Sequence, residues 1–259
     1  MAVIHFIDEG VIGHHDTIGT WLPELKPALR QVTVNQLANH TASIHDFYSL
    51  AETSESLNDS TAYALLTELD TTVFEPGARY GYSNSHYLLL AMILERASGK
   101  SFESIVSELI LQPYGMNDAG FYSLGERPLE GLMADGKRAG VRADVSGEAG
   151  LIVKATDMQA FGRVLVTADQ PKTWLLEGLQ EGRVYERDTS WTYAYGWFCT
   201  EDDRGPFCAA SGKGFGALAY HRWYYEEGLY YFLLTNHEDL PPFRGFREEV
   251  ATLLPVPDP

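Results

Sequence analysis

The stretch ALAYHRWYYEEGLYYFLLTN, from Ala217 to Asn236, constrains the fold of this chain more than any other. Two runs rich in aromatic and aliphatic residues flank Glu226, Glu227 and Gly228, and so short a link with a glycine suits a bulged hairpin turn. The run AYGWFCT, residues 194 to 200, reads as a further strand. A closing helix carrying Phe243, Phe246, Val250, Leu253 and Leu254 on one side is expected to cover the resulting antiparallel sheet. Trp223, Tyr224, Tyr225, Tyr230, Tyr231 and Phe232 then pack on both faces of the sheet, because side chains alternate along a strand.

The first half follows a different period. Residues 2 to 9, AVIHFIDE, read as the end of a buried helix stopped at Gly10, and Thr33 is placed to cap a short helix that turns Val34, Leu37 and Ala38 inward. The spacing of Ala62, Leu65, Leu66 and Leu69 predicts a helix over 59 to 70. Asn84 or Ser85 is expected to cap a helix from His86 to about Ser98, apolar on nearly every side and therefore central. Ser101 is expected to cap the next, striped by Phe102, Ile105, Val106, Leu109 and Ile110 and ended by Pro113. ATDMQAFGRVLVT is another amphipathic helix, with Asp157 in its first turn. The pattern predicts an α+β protein, with residues 1–20 and 156–259 forming a sheet-bearing α/β lobe and 21–155 a mainly helical one.

A chain of 259 residues, 45% apolar, buries a substantial core. Its formal charge of -17 disfavours nucleic acid or an anionic membrane as a partner. No basic leader precedes a long apolar run, so the expectation is a soluble, cytoplasmic chain. Cys199 and Cys208 are placed to meet across a hairpin, although two buried thiols are the favoured expectation. His5, His14 and His15 lack metalloprotease spacing, and neither a metal nor another cofactor is expected.

Chemistry enters with GYSNSHYLLLAMILERASGK, which sets Tyr82 and Asn84 two residues apart just ahead of the apolar helix. In chain order, VTVNQLANHTASI, EPGARYGYSNSHYLLLAMILERASGKSFESIVSELILQPYGMNDAGF, AGLIVKATDMQAFGRVL, YAYGWF, SGKGFGALAYH and LTNHED resemble segments of the β-lactamase-related serine hydrolases. That group includes class C β-lactamases, D-alanyl-D-alanine carboxypeptidases and related esterases. The resemblance covers nearly the whole chain. It implies a β-lactamase/transpeptidase-like fold, an antiparallel sheet with flanking helices beside a helical lobe, with the N-terminal sheet strands missing.

The resemblance gives Tyr82 the role of base or proton shuttle and Asn84 that of a contact to the substrate amide and to the nucleophile's lysine. A tyrosine with an ordinary pKa of about 10 needs a nearby cation before it acts as a base near neutrality. In the family a Ser-x-x-Lys motif supplies both that cation and the nucleophile, and no Ser-x-x-Lys occurs in this sequence, which begins partway along the helix that would carry it. Ala210, Ser211 and Gly212 stand where the family has Lys-Thr-Gly or His-Ser-Gly, so this cation is lost too. Lys213, three residues on, points to the opposite face of a strand from Ala210 unless a bulge intervenes. Ser211 is a candidate substitute nucleophile, with no base beside it in sequence, and Asn84, Ser211, Gly212 and Lys213 are the candidate substrate-binding residues. His40 follows the family pattern as a structural histidine at a helix end.

Three readings follow. The chain belongs to a serine hydrolase of small esters or amides and is inactive as it stands; or it is a noncatalytic relative that binds a ligand or a protein in the old cleft; or it is an enzyme with rewritten chemistry built on Tyr82. Missing strands also predict an open sheet edge, closed by a homodimer or by a second chain.

Overall fold

The computed structural model of the protein describes residues 1–51, 57–121, 143–144, 146–184, 190–214, 216–237 and 239–254. The hairpin read from the sequence is present. Ala217–Tyr224 pairs antiparallel with Leu229–Thr235, and Gly228 takes φ 72° at its turn, in the left-handed region that glycine enters without strain. These two strands open a sheet that continues through Gly205–Gly214, Trp197–Asp202, Thr192–Ala194 and the two-residue Arg183–Val184, each antiparallel to its neighbour.

The run from 194 to 200 is two strands, not one. Tyr195 at φ 49° and Gly196 at φ 98° turn the chain between Ala194 and Trp197, the two-residue hairpin geometry in which both central residues have positive φ. Asn-Gly or Asp-Gly announces such a turn and Tyr-Gly does not. Tyr195 is held there by long-range contacts: its hydroxyl donates to Asn35 Oδ1 at 3.0 Å and lies 2.6 Å from His14 Nδ1, and its N–H donates to Asn39 Oδ1 at 3.3 Å.

Alternation divides the sheet residues between two cores. On one face Cys199, Cys208 and Trp223 pack with Leu165 and Leu175 of the helices Ala155–Thr167 and Asp169–Glu181. On the other, Phe207, Ala209, Tyr220, Tyr224 and Tyr231 meet Phe243, Val250 and Leu254 from the helix Leu240–Thr252 and the residues just after it. The aromatic cluster is thus shared between both faces. Phe246 and Leu253 depart from the expected stripe and are 54% and 76% exposed. At 100° per residue they lie roughly 60–80° round from Phe243, at the solvent margin of the helix.

The cysteines also correct the expectation of free thiols. Cys199 and Cys208 occupy directly opposed positions on neighbouring antiparallel strands and form a disulfide. Their separation in sequence is set by a tight hairpin, so pairing follows from register alone.

In the helical part, Thr33 caps Val34–Ala38 in a reciprocal capping box with Gln36. The helix Asn84–Ser98 buries Leu88, Leu89, Leu90, Ile93 and Leu94 and stops at Gly99. It begins earlier than its sequence pattern suggests: Ser83 holds the cap position without a side-chain capping bond, while Ser85 Oγ accepts Phe47 N–H and donates to His45 O. Pro113 does not end the following helix. Phe102–Val106 passes through a π-helical turn, Ser107–Leu111, into Gln112–Tyr114, where Pro113 sits in the opening turn and Gly115 makes the stop at φ 72°. The first helix, Ala2–Asp8, contributes Ala2 and Phe6 to the same core as Leu37, Leu88 and Ile93.

Among the described residues, no helix is long and apolar enough to cross a membrane. Leu229–Thr235 is the end strand of the sheet, and its sequence LYYFLLT carries no charge.

Reduction of the disulfide tests the sheet register. Closure of a short loop by a crosslink stabilises by about 2–3 kcal/mol, so a urea midpoint measured with and without reductant should fall by that equivalent, and Cys199→Ala should abolish the difference. Equal midpoints in the two conditions contradict the pairing.

Candidate functional site

The floor of the site is a buried loop, His40 to Ile44. His40 at φ 53° and Ser43 at φ 62° both lie in the left-handed region, unfavourable for residues with a Cβ. The segment from Val73 to Ser83 is hydrogen-bonded onto them. Val73 N–H and Phe74 N–H donate to Ser43 O and Oγ, Gly77 N–H to Thr41 O, Gly81 N–H to His40 O, and Ser83 N–H to His40 Nδ1. The outcome is a fixed entry for Tyr82 and Asn84 into their helix.

His40 rests on a second buried histidine. His86 Nε2 accepts Ile44 N–H at 3.3 Å, so its proton resides on Nδ1 and is donated to His40 Nδ1 at 2.9 Å. Burial drives the His86 pKa down to about 3, and burial together with His86 drives His40 well below the usual range, so both rings are neutral. The His40 ring lies 4.5 Å from that of Tyr82 and 4.8 Å from that of Tyr193. Its structural role, read from the sequence, therefore includes supporting Tyr82 directly.

Above this floor the polar groups form a chain. The Tyr82 hydroxyl donates to Asn84 Oδ1 at 2.9 Å, and Asp46 Oδ2 accepts both Asn84 Nδ2–H at 2.7 Å and Asn84 N–H at 2.8 Å. Asp46 Oδ1 caps the turn Phe47–Leu50 by accepting Tyr48 N–H. The Tyr48 hydroxyl donates to Glu148 Oε1 at 2.8 Å. Glu148 reaches this position because Gly147, at φ 87°, passes over the Asn84–Ser98 helix so closely that a Cβ there would stand 2.2 Å from Tyr87 O. Tyr82 and Tyr48 are the exposed walls, at 59% and 42%.

The electrostatics run against a phenolate. Loss of water on its inner side raises the Tyr82 pKa first, and the carboxylates of Glu148 and Asp46 raise it further. Tyr48 is raised by burial and by Glu148. Glu148 itself is lifted from an ordinary 4.5 to about 7, mainly by burial, with Asp46 and Asp59 adding and the Tyr48 hydrogen bond opposing. Asp46, Tyr48, His86 and Glu148 were not singled out in the sequence. Asp46 had a local signal, lying six residues beyond His40, whereas Glu148 is brought in only by tertiary folding.

The strand register settles the third motif. Pairing of Gly205–Gly214 with Ala217–Tyr224 runs without interruption from Cys208↔Trp223 to Gly214↔Ala217, so no bulge rescues Lys213 onto the face of Ala210. Ala210 and Gly212 share the face of Cys208, and Ala210 stands opposite His221, which is half-buried, bonded to the Tyr230 hydroxyl and has its pKa pushed down to about 4 by loss of water. Ser211 and Lys213 share the other face with Ala209 and, across the strand pair, with Phe198. Phe198 packs on Tyr193 and Tyr80, and Tyr193 packs on His40 beneath Tyr82. Ser211 and Lys213 thus stand on the strand face of Ala209 and Phe198, and ring contacts lead from Phe198 through Tyr193 and His40 to Tyr82. Ser211, Gly212 and Lys213 are exposed, and among the described residues no side chain is hydrogen-bonded to the Ser211 hydroxyl. No group of three His, Cys, Asp or Glu among the described residues is arranged to hold a metal ion.

The raised carboxyl of Glu148 has a definite signature in stability. Below pH 4.5 it is protonated in both states; between 4.5 and about 7 the unfolded chain releases the proton that the folded chain keeps, so stability declines as pH rises. Denaturant unfolding at about pH 5 and about pH 8 should show this decline in the wild type and a smaller one in Glu148→Gln. An identical pH slope in the two proteins rules out the buried carboxyl.

The Beta-lactamase family model matches residues 1–254. D-aminopeptidase of Brucella anthropi is 31% identical over 109 residues, covering 40% of this chain and 21% of that protein. Esterase EstB of Burkholderia gladioli is 31% identical over 142 residues, covering 48% and 36%. The solved penicillin-binding protein from Bacillus halodurans superposes with a TM-score of 0.82 at 20% identity, over 98% of this chain and 81% of that one. The matched part spans less than half the length of the curated relatives. A sheet with helices on both faces, the Tyr-x-Asn turn at the head of the buried helix and a family match over nearly every residue have one reading: the chain belongs to the Beta-lactamase family, with the ancestry of its serine hydrolases.

Proposed function

We propose that the cleft at Tyr82 and Asn84 binds the acyl portion of a small ester or amide, and that these 259 residues alone do not turn it over. The observation that carries this reading is the direction of the Tyr82 hydrogen bond. Its hydroxyl donates to Asn84, and the charges acting on it are the carboxylates of Glu148 and Asp46, so the group is set to donate a proton and not to abstract one. Acyl transfer to serine needs a proton acceptor at the nucleophile, and Ser211 has no bonded partner of that kind among the described residues. The same electrostatics weigh against a rewritten enzyme with Tyr82 as base. Asn84, Ser211, Gly212 and Lys213 remain the ligand-facing candidates, with no cofactor required.

Incubation with a β-lactam or an activated ester, followed by intact-mass measurement, tests the proposal. No covalent adduct is expected, while chemical-shift changes at Tyr82 and Asn84 on addition of a non-reactive amide analogue report binding. A stoichiometric adduct on Ser211 or another serine overturns the noncatalytic reading in favour of rewritten chemistry.

For the partner we propose a second copy of this chain, paired edge to edge through Leu229–Thr235. An uncharged seven-residue end strand lacks the lysines and prolines that usually keep sheet edges apart. Repulsion from the -17 charge is screened over roughly 8 Å at physiological salt and does not prevent close contact. Light scattering should give a dimer that Leu233→Lys dissociates; a monomer at every concentration contradicts the pairing.

A further inference from the structure

We propose that Asp46 is the positioning residue of the cleft: its Oδ2, by taking both the backbone and the side-chain N–H of Asn84, turns the amide so that Oδ1 faces the Tyr82 hydroxyl. This rests on the reading of Tyr82 and Asn84 as the ligand-binding pair. An asparagine amide has two nearly isosteric orientations, and only its partners select one. Here the selection is unambiguous. A carboxylate accepts and never donates when ionised, so Asn84 must offer it nitrogen, and the oxygen is left for the phenol.

The side chain of Asp46 is itself held from both ends. Oδ1 is fixed by Tyr48 N–H at 3.0 Å, the cap of the turn Phe47–Leu50, and that turn is tied to the Asn84–Ser98 helix by Phe47 N–H donating to Ser85 Oγ at 2.9 Å. Asp46 thus joins two helix starts by one carboxylate. Hydrogen bonds to an ionised acceptor are stronger than neutral ones, so the bonds to Asp46 select one of the two amide orientations.

Counting valences gives the chemical consequence. Asn84 Nδ2 has one N–H on Asp46 and one left over; Oδ1 has one lone pair on Tyr82 and one left over; the Tyr82 oxygen keeps its acceptor capacity. The cleft therefore presents one amide donor, suited to a carbonyl oxygen, beside a phenol oxygen that accepts an N–H or O–H. With the amide reversed, Asn84 would point nitrogen at Tyr82 and the arrangement of donor and acceptor would be exchanged. Asp46 decides between these two faces without touching the ligand. The groups facing Tyr82 include Asp46 and Glu148 as carboxylates, with the neutral His40 ring beneath it.

Nuclear magnetic resonance of the Asn84 side-chain amide tests this on the full chain. In the wild type the two Nδ2 protons should be well separated in shift, with one slow to exchange. Asp46→Ser retains a hydroxyl that can cap the Tyr48 N–H but cannot span to Asn84, so it should collapse the separation and speed exchange about tenfold or more, the equivalent of a lost charged hydrogen bond. The Tyr82 ring-carbon titration should move to lower pH in the same variant, as the Asp46 carboxylate no longer opposes the phenolate. Asp46→Asn, which retains the side-chain size, should move both readouts in the same direction if Asp46→Ser does not fold. Wild-type amide protons that are degenerate and fast to exchange, or an Asn84 spectrum unchanged in a folded variant, overturn the proposal. Ligand binding is read separately: a protected Asn84 amide without any response to the amide analogue supports the positioning role and sinks only the ligand assignment.

Discussion

Everything at the Tyr82 end of the molecule depends on the hydrogen bonds that the His40–Ser43 loop receives from the segment before Asn84. Two residues with a Cβ in the left-handed region cost about 1–3 kcal/mol each. The N–H groups of Val73, Phe74, Gly77, Gly81 and Ser83 that end on this loop contribute about 0.5–1.5 kcal/mol each and offset that strain. Strain and satisfaction are coupled: the left-handed turns are what aim the carbonyls of His40 and Ser43 outward, and without the incoming segment those buried groups would be orphaned. The loop and the Tyr82 turn therefore form as a unit.

A second constraint is the sign of the local field. Burial first, and then the carboxylates of Glu148 and Asp46, push Tyr82 toward phenol, while the two histidines beneath it are neutral. Glu148 keeps its proton to about 7 chiefly because burial penalises the carboxylate, with repulsion from Asp46 and Asp59 adding to it.

The features legible in the sequence were those with a short-range physical cause. The Thr33 cap, the buried helix after Tyr82 and the hairpin closed by Gly228 each follow from a few neighbouring residues, and each is present. The Tyr195–Gly196 turn was missed because its positive φ values are supported by Asn35, Asn39 and His14 from a distant part of the chain. The disulfide was open in the sequence but not favoured over free thiols, because it depends on strand register, fixed only once the sheet exists. Tyr82 and Asn84 were identifiable as a pair, but Glu148, which changes what they can do, arrives through the close approach of Gly147 to the buried helix.

Register also determines what the altered third motif is able to replace. A one-residue shift along a strand exchanges faces, so the charge lost at Ala210 is not recovered at Lys213, which stands with Ser211 across from Tyr220 and Leu218. Lys213 instead adds a cation to the face that leads, through Ala209, Phe198 and Tyr193, to the floor under Tyr82. On the Ala210 side the cross-strand neighbour His221 is half-buried, neutral and bonded to Tyr230, and it packs near Phe161 of the helix Ala155–Thr167. The opposite face carries Phe207, Ala209 and Tyr220 under the closing helix, so the strand is core on both faces at its start and opens to solvent on both only at Ser211, Gly212 and Lys213.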